Sequence, residues 1–214
     1  NMTEEVARTL KKAGCVSVSM SIDAGTDFMR NKIFKRNLSD DQIINAFDLT
    51  RKYKIKTESS TILGLPGTTL EDDFKSVWFA KKVRPDAPNF PILCPYPGTH
   101  IADYAKEIGV LVGEFDYRRT YRNSSVFNNY TEEEKNMQVR LAYLAPIFCK
   151  LPSFMFPALK FLIRRNWTKA YSVVSSIYES YLRSWHTFPG AQPHNPIHFL
   201  GAVVKTVGFV FSQE

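Results

Sequence analysis

Few residues of this chain are able to do chemistry, and their spacing narrows what that chemistry is. Asp23 follows directly on the alternating run Cys15 to Ile22, at the carboxyl end of what reads as a strand. A carboxylate there either closes a turn or faces a ligand. Lys35 and Arg36 close a short basic segment that also holds Arg30 and Lys32. The stretch Ile62 to Asp73 reads as a strand end, a sharp turn and a capped helix start. Gly64 and Gly67 can take positive φ, and Pro66 fixes the chain between them. This places free amides at the carboxyl end of a strand, but the glycine–lysine spacing of a phosphate loop is absent. Cys15, Cys94 and Cys149 lie far apart and form no zinc or iron–sulfur spacing. His186, His194 and His198 have no Cys or carboxylate partners in register, so they read as solvated or capping groups. No metal ligand and no catalytic residue is identified.

The elements that must position these groups follow from periodicity and caps. Thr3 to Ala13 is a helix with Val6, Leu10 and Ala13 at helical spacing, ended by Gly14. Cys15 to Ile22 is a strand with small groups on both sides. Ser39-Asp40-Asp41-Gln42 is a capping box opening a helix with Ile43, Ile44, Phe47 and Leu49 inward. Ile55 to Leu63 is a second strand. Leu70 to Val83 is a helix capped by Thr69 and Asp72, with Phe74, Val77, Trp78 and Ala80 inward. Ala87 to Cys94 is a third strand, and after the Pro95-Tyr96-Pro97-Gly98 turn Thr99 caps a helix to Ile108. This alternation predicts a parallel sheet with right-handed crossovers. Beyond Gly113, residues 114–130 read as an irregular connector. Helices are expected from Thr131 to Cys149, from Pro152 or Ser153 to Arg165, from Trp167 or Thr168 to about His186, and, past the linker Pro189 to Pro193, over 197–211.

The 214 residues are 44% hydrophobic, which excludes global disorder. The net charge of +7 arises entirely after residue 116: residues 117–214 hold 12 basic and 5 acidic groups, against 16 of each before. Scattered basic residues read as a solvated surface, and no nucleic acid partner is expected. No apolar run reaches the roughly 20 residues of a membrane span. Three widely separated cysteines suit a reducing, cytoplasmic setting. The first residue is Asn and a helix follows at once, as in a piece of a longer protein.

Five motifs in order carry a resemblance: Ala13-Gly14-Cys15, Ser21-Ile22-Asp23, Lys35-Arg36, Gly64-Leu65-Pro66-Gly67 with Thr69, and Pro95-Tyr96-Pro97-Gly98-Thr99. Together they resemble the carboxyl half of a radical S-adenosylmethionine core domain. The order is most similar to the branch with an N-terminal cobalamin-binding domain, which includes radical methyltransferases and anaerobic cyclases. The resemblance covers about residues 3–113.

What it implies is specific. The fold is a partial, TIM-barrel-like (β/α) barrel over residues 1–113. It holds three parallel strands, the fourth to sixth of that barrel, and is followed by an α-helical extension over 131–214. The cofactors are S-adenosylmethionine and a 4Fe-4S cluster, with cobalamin as a further candidate. The cluster loop and the segment that holds the methionine amine belong to a missing N-terminal part of the same protein. Asp23 falls near the ribose, where the family has Glu, Gln or Asp and where Glu is commoner in this branch. Arg36 matches an Arg that pairs with the methionine carboxylate, with Lys35 as its competitor. Ser60 falls at a ribose-contacting position and Ile62 packs against adenine. The backbone of Leu93 and Cys94 meets the adenine edge, while Gly64, Pro66 and Gly67 shape the site.

Three functions follow from these readings. The first is a fragment of a transferase or cyclase acting on a small-molecule or lipid-like substrate. The second is a nucleotide-binding half-barrel without redox chemistry. The third is a helical module that docks on a partner or membrane. The last draws on an aromatic tail (Phe148, Phe154, Phe156, Phe161, Trp167, Tyr171, Tyr178, Tyr181, Trp185) read as bundle core. Lys160, Arg164 and Arg165 beside it open a second, membrane-surface reading.

Overall fold

The structure is a computed structural model that describes residues 2–111 and 124–182. The expected helix 197–211, the linker from Pro189, Trp185, and His186, His194 and His198 lie outside the described residues, as does most of the connector.

The first half alternates as its periodicity requires: α1 (Glu4–Lys12), β1 (Ser17–Asp23), α2 (Asp40–Lys52), β2 (Lys56–Thr61), α3 (Leu70–Val83), β3 (Ala87–Asn89) and α4 (His100–Glu107). The sheet order is β1-β2-β3, all parallel. The second half is helical: α5 (Glu132–Phe148), a 3₁₀ turn (Ser153–Met155), α6 (Phe156–Leu162) and α7 (Thr168–Leu182).

Local chemistry sets most boundaries. Full capping boxes form at Ser39/Gln42, Thr69/Asp72 and Thr131/Glu134, each satisfying amides that the helix leaves open. Thr99 differs from its expected role, because its hydroxyl bonds back to the Tyr96 carbonyl at 2.6 Å and leaves α4 without a side-chain cap. The basic segment is not a loop: Phe28–Ile33 winds into a π-helical turn. Arg30 within it is fully buried, with its guanidinium bonded to the carbonyls of Leu38 and Ala24 and to Asp40.

One core joins both halves. Ile22, Leu63 and Phe90 of the sheet region meet Phe47 of α2, Val77 and Ala80 of α3, and Leu141, Ala145 and Phe148 of α5. Leu159, Ile163 and Tyr171 continue it. Full burial of each large apolar side chain contributes about 1.5–3 kcal/mol. Trp78, expected inward, is 41% exposed, since it lies off the stripe of Phe74, Val77 and Ala80 and packs edge-on against Phe156 near the surface. The aromatic tail is likewise split, with Phe148 and Tyr171 buried and Phe154, Phe161, Trp167 and Tyr181 outside.

The helices cover one face of the sheet. Side chains alternate along a strand, and Thr57, Ser59 and Thr61 are buried on that face. Ser19 and Ser21 of β1 and Lys56 and Glu58 of β2 are exposed on the other. β1 therefore differs from the expectation of small groups packed on both sides: Val18, Met20 and Ile22 face the helices, and the serines Ser19 and Ser21 lie on the exposed side.

Candidate functional site

The site is built at the carboxyl ends of the strands. A bulge between Ser21 and Asp23 disturbs the β1–β2 register and turns Asp23 out of the ladder. Asp23 takes φ 59°, the left-handed region that Asp tolerates better than bulkier residues. Its carbonyl accepts from the Ile62 amide at 2.7 Å. Its carboxylate is 6% exposed as a residue yet charge-matched: Oδ2 accepts from Arg36 Nε at 2.7 Å, and Oδ1 accepts from the Ser21 hydroxyl. The same Ser21 hydroxyl lies 3.3 Å from the Ser60 carbonyl, a longer second acceptor for its one proton, which ties Ser60 into the same polar group. Arg36 reaches Asp23 because Lys35 and Asn37 on either side are both left-handed, with φ 53° and 51°. Arg36, half-exposed, and not Lys35, makes the contact.

Beside this polar group lies an apolar cavity of about 490 Å³, lined by Ile62, Pro91, Leu93, Cys94, Tyr96 and Ile101 among others. The bond from Leu93 N to the Leu63 carbonyl, 2.9 Å, continues the sheet past β3 and sets Leu63 beside Ile92, so that Leu93 and Cys94 line the same cavity as Ile62. Ile62 links the two parts, with its amide on Asp23 and its side chain in the cavity. Burial raises the Cys94 thiol above its ordinary range. A second cavity of about 340 Å³ lies between β1 and α2, against Met20, Ser21, Gln42 and Phe47, and holds none of the expected site residues.

Gly64 stands behind this arrangement. It takes φ 65°, and a Cβ there would sit 3.3 Å from Ile92 and 3.4 Å from Gln138, on the helix side. Its amide donates to Asp73 Oδ1 at 2.8 Å, and Gln138 Nε2 of α5 donates to Asp73 Oδ2 at 2.9 Å. Asp73 is fully buried; burial pushes its carboxyl up to about 7, and the bonds from Gly64 and Gln138 oppose that rise. Gln138 Oε1 is buried without a partner. Tyr130 donates to the Leu65 carbonyl at 2.7 Å and meets the Thr68 hydroxyl, and Asn129 bonds the Thr68 carbonyl. The turn from Gly64 to Thr68 is thus held from below by α3 and α5.

The structure therefore brings Asp23, Arg36, Ser60, Ile62, Leu93 and Cys94 to one edge, with Gly64 shaping it. Sequence reasoning missed three contributors. Ser21 carried a signal, two residues before Asp23 on the strand. Asp73 stands in the sequence beside Glu71 and Asp72, all three in the first turn of α3. In the structure the three diverge: Glu71 pairs with Lys160, Asp72 caps, and Asp73 is buried. Gln138 carried no local signal. Among the described residues, no group of three His, Cys, Asp or Glu is placed to hold a metal ion.

Residues 1–76 match the model of the Radical SAM superfamily. A Pyrococcus horikoshii protein described as "Uncharacterized methyltransferase PH0819" is 29% identical over 144 residues. That match covers 66% of this chain and 31% of the relative, so the chain spans under a third of the relative's length.

Proposed function

We propose that this chain supplies the ribose and adenine side of the S-adenosylmethionine site of a radical methyltransferase, as strands four to six of a partial (β/α) barrel. The observation that carries the proposal is Asp23, a buried, pre-oriented carboxylate at a strand end beside an apolar cavity. A carboxylate accepts from two hydroxyls at once, as a ribose diol requires. Ile62 and Leu93 offer apolar walls to a flat base. Ser21 and Arg36 hold Asp23 in place and keep its charge matched. Arg36 thus serves Asp23 first, a different duty from pairing with the methionine carboxylate. The motif match and the relative's printed name support radical methyl transfer.

Bound S-adenosylmethionine, together with a 4Fe-4S cluster, supplies radical chemistry in this superfamily. The cysteines here do not fit that cluster. Cys149 is buried with its thiol pushed up to about 12, and Cys15 and Cys94 lie in separate connections, before β1 and after β3. The cluster is therefore assigned to the rest of the protein, and this chain's part is to bind and orient the adenosine. Cobalamin is the finer part of the proposal and rests on motif order alone; activity of the whole protein with and without added cobalamin tests it.

The test of the main reading is calorimetric binding of S-adenosylmethionine to the whole protein and to its Asp23→Ala variant. Loss of two charge-assisted hydrogen bonds predicts about a hundredfold weaker binding. Unchanged affinity in a folded variant refutes the assignment.

A further inference from the structure

α6 lacks a polar outer side. Leu159 and Ile163 are buried in the core, the ordinary fate of an apolar stripe. On the other side, Phe154, Pro157, Ala158 and Phe161 recur at i, i+3, i+4 and i+7 through the 3₁₀ turn and α6, and all are exposed. Phe154 is 81% and Phe161 57% exposed. Trp167, 59% exposed, extends the apolar surface past the helix end. A helix at a protein–water boundary turns charged and polar residues outward, so a helix apolar on both sides expects a second cover.

The charges beside the stripe say what that cover is. From Lys160 to Lys169 there are 4 basic residues and no acidic one. Arg165 lies 4.5 Å above the Phe161 ring, and neither Arg164 nor Arg165 pairs with a carboxylate among the described residues. Glu71, the carboxylate that reaches α6, is already matched by Lys160 at 2.8 Å. A second copy seated here would set Arg164 and Arg165 against the same charges.

We propose that this face docks on an anionic phospholipid surface. The aromatic rings sit at headgroup level, where amphipathic and aromatic side chains are favoured, and Arg164 and Arg165 meet the phosphates. No described helix is long and apolar enough to cross a membrane, so the contact is peripheral. The proposal goes beyond the cofactor reading and stands without it.

The experiment is co-sedimentation of the 214-residue chain with vesicles of phosphatidylcholine alone or mixed with phosphatidylglycerol, across a salt series. The chain pellets with the mixed vesicles at low salt and is released as salt rises. The double change Arg164→Gln/Arg165→Gln weakens partitioning by about thirtyfold. Phe154→Ser/Phe161→Ser weakens it at every salt concentration, and circular dichroism checks that both variants are folded. The single change Phe154→Ser, on the most exposed ring, gives the same direction should the double variant unfold. Failure of the wild-type chain to pellet with mixed vesicles at low salt overturns the proposal. So does unchanged pelleting of the folded variants. A concentration-dependent dimer lost in Phe161→Ser, with no vesicle binding, overturns it in favour of a second copy.

Discussion

Asp73→Asn isolates the cost of a buried carboxylate under the Gly64 turn. Burial raises the Asp73 carboxyl from its ordinary 3.8 to about 7. A carboxyl whose folded value is raised contributes stability that is fully present below its unfolded value. That contribution is lost as pH rises through the folded one. For Asp73 the loss runs from about pH 4 to about pH 8 and totals about 4 kcal/mol. Asn keeps the shape, its Oδ1 still accepts from Gly64 N–H, and its amide donates to the orphaned Gln138 Oε1 once that side chain turns over. Other carboxylates titrate alike in both proteins and cancel in the difference. The assay is urea unfolding of wild type and variant at each pH from about 4 to 8. Wild type loses ground steadily to the variant as pH rises, and at pH 8 the variant is the more stable protein. A stability difference that stays constant over this range refutes the reasoning.

Three further outcomes are expected. Gly25→Ala places a Cβ 2.2 Å from the Ser76 Cα in α3, and its backbone cannot yield cheaply; a loss of about 3 kcal/mol or more is expected by denaturant unfolding. Tyr130→Phe removes the bond to the Leu65 carbonyl and costs about 1–2 kcal/mol, read as a lower urea midpoint with unchanged slope. Cys149, buried and with its thiol near 12, stays unlabelled by iodoacetamide at pH 8 until the chain unfolds; mass spectrometry of the native protein that finds it alkylated contradicts the placement.

What the sequence makes legible here is what neighbours along the chain decide. The capping boxes at Ser39 and Thr69 involve residues three apart and appear as read, and Thr131, expected only to open a helix, forms a third with Glu134. The order of strands and crossovers follows from period and punctuation. Arg30 shows the limit: among Lys32, Lys35 and Arg36 it has the same local character, but the carbonyls that bury it come from both sides of its π-turn. Arg36 was legible as an anion partner, yet which carboxylate it meets depends on a bulge at Asp23 and two left-handed residues. Trp78 and Phe154 were placed inward by residue type, but exposure is settled by the helix against which each packs. The placement of α5 across α3 and β3 spans some 60 residues of sequence, and no local pattern encodes it.

The brace under the Gly64 turn has an evolutionary consequence. Residues 73, 130 and 138 share one buried set of hydrogen bonds with the 64–68 backbone, although residues 130 and 138 lie 57 and 65 positions beyond Asp73 in the chain. A chimera that joins the first half of one relative to the helices of another inherits only part of that set, unless all three positions travel together. The heritable unit of this site is therefore longer than the strands that display it.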